Sequence, residues 1–140
     1  MRLWLEDGTP MLLNRLISIR DERAQWRCLH IRLSRLPTRK IGRARPHFIL
    51  ETIKERLAEH DALVYGCNDG DLMILFKGRI TPIINALSPA FADLSESLER
   101  PRTDSPFALH DMAKDWLHLF IAVKRKIERA EHRDLAMQEA

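Results

Sequence analysis

A chain of 140 residues holds one domain, long enough for a real core and too short for two comfortable ones. Hydrophobic residues at 45%, charged residues at 31% and a net charge of only +3 describe a globular protein and exclude a disordered one. The apolar run Leu119–Val123 is far short of the ~20 residues that span a bilayer. Glu6 and Asp7 interrupt the N-terminus before a signal-peptide core can form, so the expected location is cytoplasmic.

Thr9-Pro10 reads as a helix start, a hydroxyl N-cap followed by proline in the first turn. Leu13, Leu16, Ile17 and Arg20 share a face, which predicts a helix over 10–22. A strand is expected over 26–36, where Leu29, Ile31 and Leu33 alternate with Cys28, His30 and Arg32, and Pro37 ends it. A basic connection follows. Arg35, Arg39, Lys40, Arg43 and Arg45 form a block without a single acid, which favours an anionic partner or a solvated loop. Pro46 can open a second helix whose stripe is Ile49/Leu50, Ile53 and Leu57.

Two apolar runs, 63–68 and 71–76, flank Asp69-Gly70. That dipeptide predicts a β-hairpin with a type I′ turn, in which both central residues take positive φ. The second run is apolar almost throughout, as a strand covered on both faces requires. Gly66 marks a bulge or a close backbone approach. Thr81-Pro82 repeats the helix-start signature, Pro89 interrupts the helix, and a short piece is expected over 90–98. The stretch 99–106 has two prolines and no apolar residue and reads as a linker. Over 107–140, Leu109, Met112/Ala113, Trp116, Phe120, Val123 and Ile127 follow one stripe and predict a C-terminal amphipathic helix. The order implies an α+β fold with a ferredoxin-like βαββ core over 1–98, an N-terminal helix and this additional C-terminal helix. The last strand of such a core has no clear signal, and Trp4–Glu6 is a poor substitute for it.

Several residues could carry chemistry. Asp69 and Asp71 could form a metal- or phosphate-coordinating pair, or simply favour the turn. Cys28, His30 and Cys67 could approach one another, but a zinc site needs about four ligands and no fourth is evident. The two cysteines read instead as small core hydrophobes. No Ser–His–Asp or paired His signature appears, so no catalytic residue, metal or cofactor is expected.

The element order and the acidic hairpin turn resemble the GGDEF domains, the bacterial diguanylate cyclases. Asp7, Leu12, Asn14 and Arg15 stand in the spacing of the family's opening D-x-L-T-x-L-x-N-R. Arg35, Gly42 and Leu50 fall on its lysine, first loop glycine and final leucine, and Asp69-Gly70-Asp71-Leu72-Met73 falls on the signature turn. The likeness spans about residues 7–87. It implies that acids on the first strand and in the turn would hold two divalent ions on nucleotide phosphates. Here His30 and Arg32 occupy the strand positions, and Leu72 replaces the acid after the signature aspartate. Thr38 and His47 stand at the guanine-reading positions, and no R-x-x-D precedes the turn.

The resemblance therefore implies a degenerate GGDEF-like regulatory or scaffold module in bacterial signalling, without cyclase activity. It would act through a protein partner, a homodimer among the candidates, or through residual nucleotide sensing. Its expected contact residues are Arg35, Arg39, Lys40, Arg43 and Arg45 in the basic loop and Trp116, Phe120 and Val123 on the last helix. The alternative is a basic RNA-binding α+β domain. Only Trp26, Tyr65 and Phe76 are available on the strands for base stacking, which ranks nucleic acid below a protein partner.

Overall fold

The computed structural model describes residues 1–36, 46–91 and 93–139. Five strands, β1 (Arg2–Trp4), β2 (Trp26–Ile31), β3 (Ala62–Gly66), β4 (Leu72–Lys77) and β5 (Phe107–Asp111), form one mixed sheet in the order β1-β3-β4-β2-β5. β1 lies parallel to β3, and every other pairing is antiparallel. The helices are α1 (Gly8–Ser18), α2 (Pro46–Leu57), α3 (Thr81–Leu87), α4 (Leu94–Glu99) and α5 (Met112–Glu139). The fold is α+β. From β2 onward its order β-α-β-β-α-β is compatible with the expected ferredoxin-like class.

Because successive strand residues point to opposite faces, each strand contributes to two separate cores. On one face Leu29, Ile31, Val64, Ile74 and Phe76 pack against Ile49, Ile53 and Leu57 of α2, Ile83 and Leu87 of α3, and Leu94 of α4. On the other, Cys28, Leu63, Tyr65, Met73 and Leu75 meet Leu12 and Leu16 of α1 and Met112, Leu119 and Val123 of α5. The sheet is thus the middle of three layers. β4 is buried on both faces from Leu72 to Phe76, as its unbroken apolar sequence predicts.

The last strand is present where a helix is expected. Residues 107–111 form β5, which pairs with β2 from Phe107↔Ile31 to Asp111↔Arg27. Phe107 and Leu109 turn to the first core, and the helix starts only at Met112. Asp111 marks the boundary, its Oδ1 accepting from the Ala113 N–H at 3.0 Å as an N-cap does. β1 adds a further strand at the opposite edge, beside β3. β2 itself is shorter than the expected strand, ending at Ile31 and passing into a 3-10 turn over Leu33–Arg35.

α1 begins earlier than the Thr9-Pro10 signature indicates. Its N-cap is Asp7, in a left-handed conformation at φ 53° and without a side-chain cap bond. The helix buries Leu12, the predicted Leu16 and the following Ile19; of the rest of the predicted face, Leu13 is half-buried and Ile17 is 53% exposed. It ends at Ser18, and a 3-10 segment occupies Arg20–Gln25. Thr81 is likewise inside its helix, with Ile80 as the N-cap.

The hairpin closes at Asp69-Gly70 with a different turn. Gly70 takes φ 89° whereas Asp69 keeps negative φ, which removes the type I′ assignment. The Gly70 N–H donates to the Cys67 carbonyl at 3.0 Å, and the Cys67 N–H to the Asp71 carbonyl at 2.8 Å. This is a three-residue loop in which a tight turn is followed by a left-handed glycine bulge. Gly66 does mark a close approach. A Cβ on Gly8 would lie 2.0 Å from the Gly66 carbonyl oxygen, so the start of α1 sits directly on the end of β3.

Candidate functional site

The hairpin tip, the start of α1 and the middle of α5 converge on one polar cluster. The register places His30 on β2 opposite Met73 on β4, which brings its ring beside the loop-proximal Asp71. His30 Nε2 and Asp71 Oδ2 are 2.8 Å apart, and both side chains are largely buried. From α5, Lys126 Nζ donates to Asp71 Oδ2 at 3.3 Å and to Asp69 Oδ2 in a closer ion pair. Asn68 Nδ2 donates to the Lys126 carbonyl at 3.0 Å, and the Asn68 N–H to Thr9 Oγ1 at 2.9 Å. The Thr9 hydroxyl, expected to cap α1, instead ties α1 to the hairpin. Asp69 Oδ1 accepts from the Asp71 N–H at 3.1 Å, so it also has the turn-forming role that its residue type suggests.

The electrostatics follow from this pairing. Burial pushes the Asp71 carboxyl up, but the His30 bond and the Lys126 charge outweigh it and hold the group below its ordinary range. Burial lowers Lys126, while the bond and charge of Asp69 outweigh that and leave the ammonium above its ordinary value. Asp71 is therefore held as a carboxylate, and the Lys126 ammonium of the chain itself is paired with both acids. Next to them Cys67 is pushed up to about 11 by burial, which makes it a poor nucleophile at neutral pH. A cleft of about 470 Å³ opens beside the cluster, lined among others by Asp7, Thr9, Cys67, Asn68, Glu131 and Asp134. No group of three or more His, Cys, Asp or Glu side chains among the described residues is placed to hold a metal ion.

The remaining sequence-derived candidates are dispersed. Arg35 is exposed and its guanidinium donates to the Thr103 carbonyl at 2.5 Å; Arg32 donates to the Ser105 carbonyl at 3.0 Å. Arg39, Lys40, Arg43 and Arg45, with Thr38 and Gly42, lie outside the described residues. Trp116, Phe120 and Val123 face the protein's own second core. The Trp116 indole N–H donates to the Leu16 carbonyl at 2.8 Å, and its ring stacks on Phe120 at 5.1 Å. Leu72 and Met73 are buried strand residues. Tyr65 and Phe76 are buried too, so neither can stack on a base. Cys28 and Cys67 are both free and buried in the second core.

Sequence reasoning missed Lys126 as a partner of the hairpin, because nothing local links residues 55 and 57 positions apart. It also missed the pair of His30 with Asp71. The usable signal was chemical: two acids at a turn tip followed, on an amphipathic helix, by the cationic run Lys124-Arg125-Lys126. No helix among the described residues is long and apolar enough to cross a membrane. Comparison with protein-family models, curated proteins and solved structures finds no match to this chain.

Proposed function

We propose that this chain is a non-catalytic regulatory or scaffold module of bacterial signalling, a degenerate GGDEF-like domain on a ferredoxin-like core. It acts by protein contact or by residual nucleotide sensing. The observation that carries this reading is the pairing at the hairpin tip. Two-metal phosphoryl chemistry needs carboxylates open to divalent cations. Asp69 and Asp71 are instead engaged by the Lys126 ammonium and the His30 ring. A divalent ion would have to displace Lys126 from a partly buried pair, leaving an uncompensated charge behind. Arg32 and Leu72 add no further carboxylate. Titration with GTP and magnesium, coupled to a product assay, tests the proposal. The expected result is no turnover, with any nucleotide binding independent of magnesium; synthesis of a cyclic dinucleotide overturns it.

The RNA-binding alternative draws on the basic block alone. A sheet surface that recognises single strands must be open and carry stacking aromatics. Here α1 and α5 cover the face opposite α2, α3 and α4. Binding through Arg39, Lys40 and Arg43 would show as a log affinity that falls steeply with log salt.

A further inference from the structure

α5 has a second stripe, turned away from its own domain. Leu117 and Ile121 each precede a buried residue, Leu119 and Val123, by two positions, about 200° around the helix. Leu117 is 61% exposed, Ile121 40% and Leu135 57%. The intervening Lys124, Glu128 and Glu131 are exposed as well, Glu131 also lining the cleft beside the hairpin. These six residues alternate by four and three positions, the spacing of a seam that meets another helix. Ile17, also exposed, lies at the Leu117 end, since Leu16 accepts the Trp116 N–H.

Reversed, the stripe matches leucine to leucine at its ends and lysine to glutamate at its centre. If two copies cross antiparallel about a two-fold axis at the level of Lys126, Leu117 of each meets Leu135 of the other. Ile121 of each then meets Glu131 of the other, and Lys124 of each meets Glu128 of the other, twice, at the centre. A parallel pairing in register would oppose Lys124 to Lys124 and Glu128 to Glu128, which is repulsive. We propose that the outer stripe of α5, Leu117, Ile121, Lys124, Glu128, Glu131 and Leu135, is an antiparallel homodimer interface whose occupant is a second copy of this chain. The interface is isologous, with Leu117 on Leu135 at its ends, Ile121 beside Glu131 inside them and a salt-linked centre. It stands apart from the nucleotide question, because it uses none of the hairpin residues, and absence of cyclase activity leaves it unaffected.

Sedimentation equilibrium of the full chain over a range of concentrations tests it. A monomer–dimer equilibrium is expected. Leu117→Asp, at an exposed position, should weaken it roughly tenfold or more while the circular dichroism spectrum is kept. Lys124→Glu should weaken it as well, and Lys124→Glu combined with Glu128→Lys should restore it. Orientation is read by disulfide cross-linking. Leu117→Cys with Leu135→Cys should link two chains, whereas Leu117→Cys alone should not, since the two copies of residue 117 would lie about 27 Å apart. Cys28 and Cys67 are buried and do not interfere. A chain that stays monomeric at every concentration, a dimer indifferent to Leu117→Asp and Lys124→Glu, or efficient cross-linking through residue 117 alone overturns the proposal.

Discussion

Lys126 holds the hairpin tip and α5 together through two carboxylates, and its removal would leave both without their counter-charge. Lys126→Met is expected to lower the unfolding free energy by about 1.5–3 kcal/mol, the range for hydrogen bonds to charged groups, measured by urea titration. The pH dependence has a definite sign. Asp71 is held below its ordinary value of 3.8, so its contribution is present above that value and lost as pH falls through the lower, folded one. Stability should therefore decline below about pH 4, and Asp71→Asn should flatten that decline. Lys126 lies above its ordinary 10.5; its contribution is present below that value and fades only as pH rises through the higher, folded one. Cys67, near 11 through burial, predicts slow labelling by a thiol reagent at pH 7 and rapid labelling after unfolding. At this scale the sequence allows Asp69-Gly70 to be placed at a turn, since turn chemistry is local. The partners of the two acids are not legible, because Lys126 and His30 arrive through tertiary packing.

Between elements the tightest junction is that of α1 with β3. Gly8→Ala would place a methyl 2.0 Å from the Gly66 carbonyl oxygen, and both groups belong to backbone that cannot swing aside. The expected cost is about 1–3 kcal/mol or more, read as a lowered midpoint in thermal or urea unfolding. Gly70→Ala differs in kind. Nothing lies within 4 Å of its added methyl, and the cost comes only from φ 89°, about 1–2 kcal/mol. A larger loss at Gly70 than at Gly8 would contradict the close approach. The element types β2, α2, β3, β4 and α3 were legible, because their apolar period is clear and proline or Asp-Gly punctuates them. β5 was not. Leu109 falls in phase with the helical stripe of Met112 and Trp116, and five residues are too few for a period of two to outweigh it. Only the alternation of Phe107 and Leu109 after Pro106 and the capping Asp111 mark the boundary.

For the molecule as a whole, the three-layer arrangement makes the C-terminal third structural. The stretch 99–106, which reads as a linker, supplies carbonyls to Arg32 and Arg35 and leads into β5, hydrogen-bonded along the length of β2. α5 then covers a sheet face carrying Cys28, Tyr65, Met73 and Leu75. A chain ending at Asp111 would expose that face to water, and an apolar patch of this kind drives association. Such a chain is expected to lose its cooperative unfolding transition and to aggregate. A chain ending at Ile127 is expected to behave differently. It keeps Met112, Leu119 and Val123 in the second core and retains the Lys126 ion pairs, so it should still unfold cooperatively. It lacks Glu128 and Leu135, however, and with them the distal half of the outer stripe. Calorimetry and sedimentation of the two truncations separate the helix as a covering layer from the helix as a contact surface. If the chain ending at Asp111 unfolded as sharply as the full chain, α5 would be an appendage and the second core would not require it.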